Sequence, residues 1–86
     1  MTVAFTARGW EDYQSWAGER KALLRINRMI DEALRSPGDG IGKPERLRAD
    51  LSGFWSRRIT EEHRLVYAVE GDVITVVQCK YHYGSL

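Results

Sequence analysis

The apolar residues of this chain change period near its middle, and that change limits the folds open to it. Up to about residue 35 they recur at three- and four-residue spacing. Trp10, Tyr13 and Trp16-Ala17 fall on one helical face, and Leu23, Ile26, Ile30, Ala33 and Leu34 form a second stripe. From Phe54 onward the pattern is that of strands rich in Val, Ile and Tyr. Helices gathered before a run of strands point to an α+β arrangement, with two helices on one face of a mostly antiparallel sheet.

The boundaries follow from local chemistry. A short strand over 3–5 precedes a first helix that begins near Arg8-Gly9, with Glu11 and Asp12 in its first turn, where negative charge suits the helix dipole. A second helix runs from Glu19 to Leu34. Ser36-Pro37-Gly38 ends it, because proline cannot continue the ladder. The segment 39–44 reads as a loop. Its Gly40-x-Gly42 leads into proline and a strand, so it is a flexible turn and not a phosphate cradle. Four strands are expected at Leu47–Leu51, Phe54–Ile59, His63–Val69 and Val73–Tyr83, with Glu70-Gly71-Asp72 as a hairpin turn. The order is β-α-α-β-β-β-β, and the sheet face away from the helices is free to carry polar groups.

With 86 residues, one domain spanning 1–86 is expected, with a core small enough for a partner chain to add to it. Cys79 is the only cysteine, so no internal disulfide forms and a reducing, cytoplasmic setting is expected. No apolar run reaches the roughly 18 residues of a membrane span, and the N-terminus lacks the pattern of a signal peptide. The net charge is only +1. Between Lys43 and Arg58, however, five cations (Lys43, Arg46, Arg48, Arg57, Arg58) stand against Glu45 and Asp50. That imbalance suits a local anion site, and equally a solvated face.

The chemistry-bearing residues narrow the classes further. His63 and His82 are far apart and no Cys-x-x-Cys or His-Glu-x-x-His occurs, so no metal or other cofactor is expected. Cys79 lies in an apolar strand and reads as a core residue. What remains is Glu45, Arg48, Arg58, Arg64, His82 and Tyr83. RNA can be cut without metal if a base takes the 2′-hydroxyl proton, an acid protonates the departing 5′-oxygen, and cations stabilise the charge on phosphorus. A carboxylate, a histidine and arginines are the right parts. Singly, each has a plainer reading: Glu45 as a loop carboxylate, Arg57 and Arg58 as strand charges in water, His82 as an exposed histidine. On residue chemistry alone a non-catalytic binding domain comes out ahead of a nuclease.

The words themselves then become informative. Gly42-Lys43-Pro44-Glu45-Arg46-Leu47, the stretch from Leu51-Ser52-Gly53-Phe54-Trp55-Ser56-Arg57-Arg58 through His63-Arg64-Leu65-Val66-Tyr67-Ala68-Val69, and Cys79-Lys80-Tyr81-His82-Tyr83 strongly resemble the YoeB toxins of the RelE-like superfamily of messenger-RNA interferases. Trp10-Glu11-Asp12-Tyr13, Trp16, Ile26-Asn27, Ile30 and Pro37 agree more loosely. The resemblance covers about Trp10 to Tyr83. It implies two helices on a curved antiparallel sheet and cutting of messenger in the ribosomal A site, the toxin half of a type II toxin–antitoxin pair.

Position by position, the resemblance gives Glu45 the role of general base and His82 that of general acid. Arg64 matches the arginine that stabilises the transition state, Arg58 a second arginine of the site, and Tyr83 a tyrosine that positions substrate. Lys43 and Arg48 would bind substrate. Arg48 stands where the family commonly has lysine, a cation of different donor geometry. Gly84-Ser85-Leu86 follow where the family often ends. His63 has no principal chemical role in the family and reads as structural, and Trp55 and Tyr67 read as packing residues. The implied partners are messenger RNA, the ribosome, a YefM-like antitoxin and a second copy in a homodimer, with DNA reached only through the antitoxin complex and no membrane. Two rival readings are a ribosome- or RNA-binding blocker that does not cut, and a corepressor acting with its antitoxin.

Overall fold

The computed structural model describes residues 1–81. Strand β1 (Thr2–Phe5) is followed by helices α1 (Ala7–Ser15) and α2 (Arg20–Arg35), then by β2 (Glu45–Arg46), β3 (Phe54–Arg58), β4 (Arg64–Glu70) and β5 (Val73–Gln78). The five strands form one sheet in the order β1-β5-β4-β3-β2. β1 runs parallel to β5, and every other pair is antiparallel. The expected β-α-α-β-β-β-β order is therefore the observed one.

Thr6 starts α1 by accepting the Gly9 amide on its Oγ1 at 3.0 Å. The helix thus begins earlier than the sequence suggested, and Glu11 and Asp12 lie beyond its first turn. Gly9 sits directly on the Val76 carbonyl of β5, where a Cβ would collide. That contact lets α1 lie close on the sheet. Trp16 caps α1 and is buried, its indole Nε1 donating to the Cys79 carbonyl at 2.8 Å. The other members of the expected α1 face differ. Ala17 is exposed, and Trp10 stays half-exposed while stacking on Tyr13 and meeting Phe5 edge-on.

Helix α2 buries Ile26, Met29, Ile30 and Ala33 against Leu65, Tyr67, Ile74 and Val76 of the sheet. Truncating Ile26, Met29 or Ile30 to alanine costs about 2–5 kcal/mol. Cys79 belongs to this core, as expected of a small apolar residue.

Two strand boundaries differ from expectation. Leu47–Leu51 is not a strand. β2 occupies Glu45–Arg46 instead, and Ala49–Leu51 is one turn of 3-10 helix. Leu47 is buried and its amide still bonds to the Phe54 carbonyl, but Ala49 takes a φ of 55°, which turns the chain away from the sheet. The last strand ends at Gln78 and not at Tyr83. Val76 pairs with Tyr67 while Gln78 pairs with Val66, so Val77 is the extra residue of a bulge.

The segment 36–42 is not a loose turn. Arg57 of β3 is fully buried beneath it. Its guanidinium donates to the carbonyls of Asp39 at 2.7 Å and of Ser36, Pro37 and Ile41 at 3.2 Å, and its Nε to the Tyr67 hydroxyl at 2.9 Å. Glu32 of α2 pairs with it at 3.5 Å and accepts the Ile41 amide at 2.7 Å. The Ile41 amide bond, with help from Arg28 and Arg57, holds the Glu32 carboxyl below its ordinary value, against the opposing effect of burial. Burial pushes the Tyr67 phenol up, against the pull of Arg57. Gly40 and Gly42 carry φ of 118° and 88°. Side chains there would run into Glu32 and Arg57, and into Met29 respectively. The expected exposure of Arg57 as a strand charge in water is thus overturned.

Candidate functional site

Alternation along the strands sorts the candidate residues. Leu65 and Tyr67 face α2, and Arg57 reaches Glu32 on that same helix. Residues one position away therefore point to the opposite face, where Ser56, Val66 and Gln78 are buried and Glu45 and Arg58 are exposed. There the register runs Glu45↔Ser56, Ser56↔Val66 and Val66↔Gln78 across four strands, with Arg58↔Arg64 as the neighbouring row. Ordinary sheet spacing puts the Cα of Glu45 about 8 Å from that of Arg58 and about 12 Å from that of Arg64. Glu45, Arg58 and Arg64 thus stand on one face of the sheet by register.

Their settings differ. Glu45, Lys43, Arg48 and Arg58 are exposed. Glu45 and Arg48 line a cleft of about 290 Å³ together with Arg46, Leu47 and Leu51. Lys43 holds a φ of 51°. Both backbone polar groups of Arg58 are tied down. Its amide donates to the Gly42 carbonyl at 2.6 Å and its carbonyl accepts from Arg25 at 3.0 and 3.3 Å.

Arg64 is 9% exposed. Its Nη1 donates to the carbonyls of Thr60, Glu61 and His63 at 2.8, 2.9 and 3.2 Å. The β3–β4 turn thus fixes the guanidinium through that nitrogen.

His82 and Tyr83 lie outside the described residues. The residue before them is held tightly. The Tyr81 amide donates to His63 Nδ1 at 2.7 Å, and the Tyr81 carbonyl accepts the Arg64 amide at 3.0 Å. Tyr81 takes a φ of 63°, a turn that a straight continuation of β5 would not make. Gln78 Nε2 adds a bond to the Lys80 carbonyl at 2.7 Å. His63 also meets Trp16 edge-on. Its structural role is the one expected, and its specific task is to anchor the chain beside Arg64. Tyr67 is a core residue, and Trp55 is half-buried with the Arg46 guanidinium 5.5 Å over its ring.

A larger open groove of about 500 Å³, between the start of α2 and the β3–β4 turn, is lined by Glu19, Arg20, Lys21, Ala22, Arg25, Ile59 and Thr60. Among the described residues, none of the candidates lines it.

The sequence did not reveal Arg57 as a buried clamp. A signal was present: Trp55, Arg57 and Ile59 alternate along one strand, and its two apolar members already mark the core-facing side.

Residues 5–83 match the family model described as the YoeB-like toxin of bacterial type II toxin–antitoxin systems. The toxin YoeB of Streptomyces coelicolor is 54% identical over 84 residues, which cover 96% of this chain and all of that protein. Among solved structures, a YoeB/ParE toxin from Agrobacterium tumefaciens superposes with a TM-score of 0.91 at 44% identity, over 96% of this chain and 100% of that one. YoeB of Staphylococcus aureus is similar both as a dimer (TM-score 0.87, 40% identity, 96% and 98% covered) and in a heterotetrameric complex with YefM (0.85, 41%, 94% and 95%).

Proposed function

The chain belongs to the YoeB-like toxins of bacterial type II toxin–antitoxin systems, and from that premise we propose that it is a ribosome-dependent messenger-RNA endonuclease acting by acid–base chemistry. The observation that supports this best is the sheet register that sets Glu45, Arg58 and Arg64 on one face, with the backbone of Tyr81, one residue before His82, bonded to Arg64.

In the proposed reaction Glu45 takes the proton of a 2′-hydroxyl. The 2′-oxygen attacks the adjacent phosphorus and the bond to the 5′-oxygen breaks. His82 supplies the proton that the leaving 5′-oxygen needs. The product strand ends in a 2′,3′-cyclic phosphate, or in the 3′-phosphate derived from it, and the other begins with a 5′-hydroxyl. Arg64 and Arg58 stabilise the charge on the phosphoryl oxygens. Tyr83 positions the substrate, and Lys43 and Arg48 bind the flanking phosphates.

The family places a YefM-like antitoxin opposite this toxin, and the S. aureus relative supports both that partner and a homodimer. Contact with DNA would come through the antitoxin complex. The proposed setting is the cytoplasm; among the described residues no helix is long and apolar enough to cross a membrane.

The test is single-turnover cleavage on programmed ribosomes, read by primer extension. A discrete stop within the A-site codon is expected. Glu45→Ala and His82→Ala should each slow cutting by roughly 10²–10⁴-fold. Wild-type cutting by either folded variant would remove the role given to that residue. Translation arrest with no cut by the unaltered protein would favour a non-catalytic blocker.

A further inference from the structure

We propose that Arg57, on the opposite face of the sheet from Glu45, is a positioning residue for it. The inference rests on the reading of Glu45 as the base. Glu45 stands on a strand of two residues, paired to β3 only through Glu45↔Ser56 and Arg46↔Trp55. So short an edge strand cannot fix its own place. Its position must come from what holds the chain on either side.

Downstream, buried Leu47 and its amide bond to Phe54 supply one anchor. Upstream, the chain is gathered by Arg57. One guanidinium collects the carbonyls of Ser36, Pro37, Asp39 and Ile41. The Tyr67 hydroxyl accepts from Arg57 and donates to the Pro37 carbonyl at 2.6 Å. The next residue of β3, Arg58, takes the Gly42 carbonyl through its amide. The backbone from 36 to 42 is thus registered on two adjacent positions of β3, and Glu45 follows three residues later.

Apolar packing could fill the same volume without the cost of desolvating a cation. It could not hold four carbonyls and a hydroxyl. A lysine ammonium has three donors and no planar fork, so it cannot reach the same set. The consecutive arginines of β3 therefore divide the work: Arg58 faces the phosphate, and Arg57, on the reverse of the sheet, sets where the base stands relative to it.

The experiment compares wild type, Arg57→Lys, Glu45→Ala and the double variant on programmed ribosomes at saturating toxin, with ribosome binding measured separately. Arg57→Lys is expected to lower the cleavage rate by about 10²-fold, to leave binding unchanged, and to add nothing to Glu45→Ala. Should Arg57→Lys lose its cooperative thermal transition, Tyr67→Phe carries the test. It deletes one link to Pro37 and should slow cutting roughly threefold to tenfold, again with no further loss in Glu45→Ala. A merely structural role would lower both backgrounds alike, and that result overturns the proposal. So does wild-type cutting by folded Arg57→Lys or Tyr67→Phe while Glu45→Ala is inactive. Wild-type cutting by Glu45→Ala itself would overturn the base assignment, and this proposal with it.

Discussion

Arg57 and Arg58 carry the same side chain one residue apart, and the pleat sends them into opposite environments, one fully buried and one in water. Composition cannot separate them; strand parity can. Cys79 is a second case in which position overrides chemical type. Burial, with the nearby Asp12 carboxylate adding to it, pushes its thiol from the ordinary 9.0 up to about 12. The folded protein therefore keeps the thiol proton where the unfolded chain has released it. Stability from this residue is complete below about 9 and is lost as pH rises from about 9 toward about 12. Tyr67, raised from 10.0, acts in the same direction at the upper end. Denaturant titrations of wild type and Cys79→Ala across this range should show the steeper alkaline decline in wild type. Parallel curves would mean that the thiol is free to ionise in the folded state.

Among the elements, the end of β5 decides most about the proposed acid. The latch formed by His63 Nδ1 and the Arg64 amide on Tyr81 turns the chain out of the strand direction. His63→Ala removes that acceptor and the ring against Trp16, and should cost about 1 kcal/mol or more of stability. If His82 is the acid, the released chain should also cut more slowly, with ribosome binding unchanged. Unaltered cutting rates would show that the latch is not needed to place His82. The helices and the β3–β4–β5 meander were legible from periodicity and turn residues, because long amphipathic patterns and an acidic Gly turn leave few alternatives. β2 was not. Leu47 and Leu51 have strand-like character, yet the left-handed backbone at Ala49 breaks the run and pairing falls to Glu45 and Arg46, which carry no strand signal. The true end of β5 was hidden for a similar reason: Cys79 and Tyr81 keep strand-like character past Gln78, but side-chain bonds from His63 and Gln78 claim the backbone there. On the face away from the helices, Arg58 and Arg64 could be placed from strand alternation, whereas Glu45, singled out as a carboxylate, was read in a loop and received its role as base only through the family resemblance.

For the molecule as a whole, a net charge of +1 is a weak electrostatic lure for RNA. On the proposed mechanism the acid, base and arginines act on a substrate that something else holds in line, and such alignment is worth about 7–11 kcal/mol of barrier. If the ribosome supplies it, free RNA should be cut slowly and with little site preference, while the same message in the A site is cut quickly at one place. Equal single-turnover rates and equal cut sites would identify a self-sufficient ribonuclease. The sheet order has a further consequence, in time and not in space. β5 lies between β1 and β4, so the last strand of the meander to be synthesised is inserted into the interior of the sheet, and β1 waits for its neighbour across the register Thr2↔Val73. Contacts of such sequence separation form late. A nascent chain can close its β3–β4 hairpin early, yet the two edges of its sheet stay apart until β5 has left the translating ribosome. Maturation of this toxin is thereby deferred until its own message has been read through that strand.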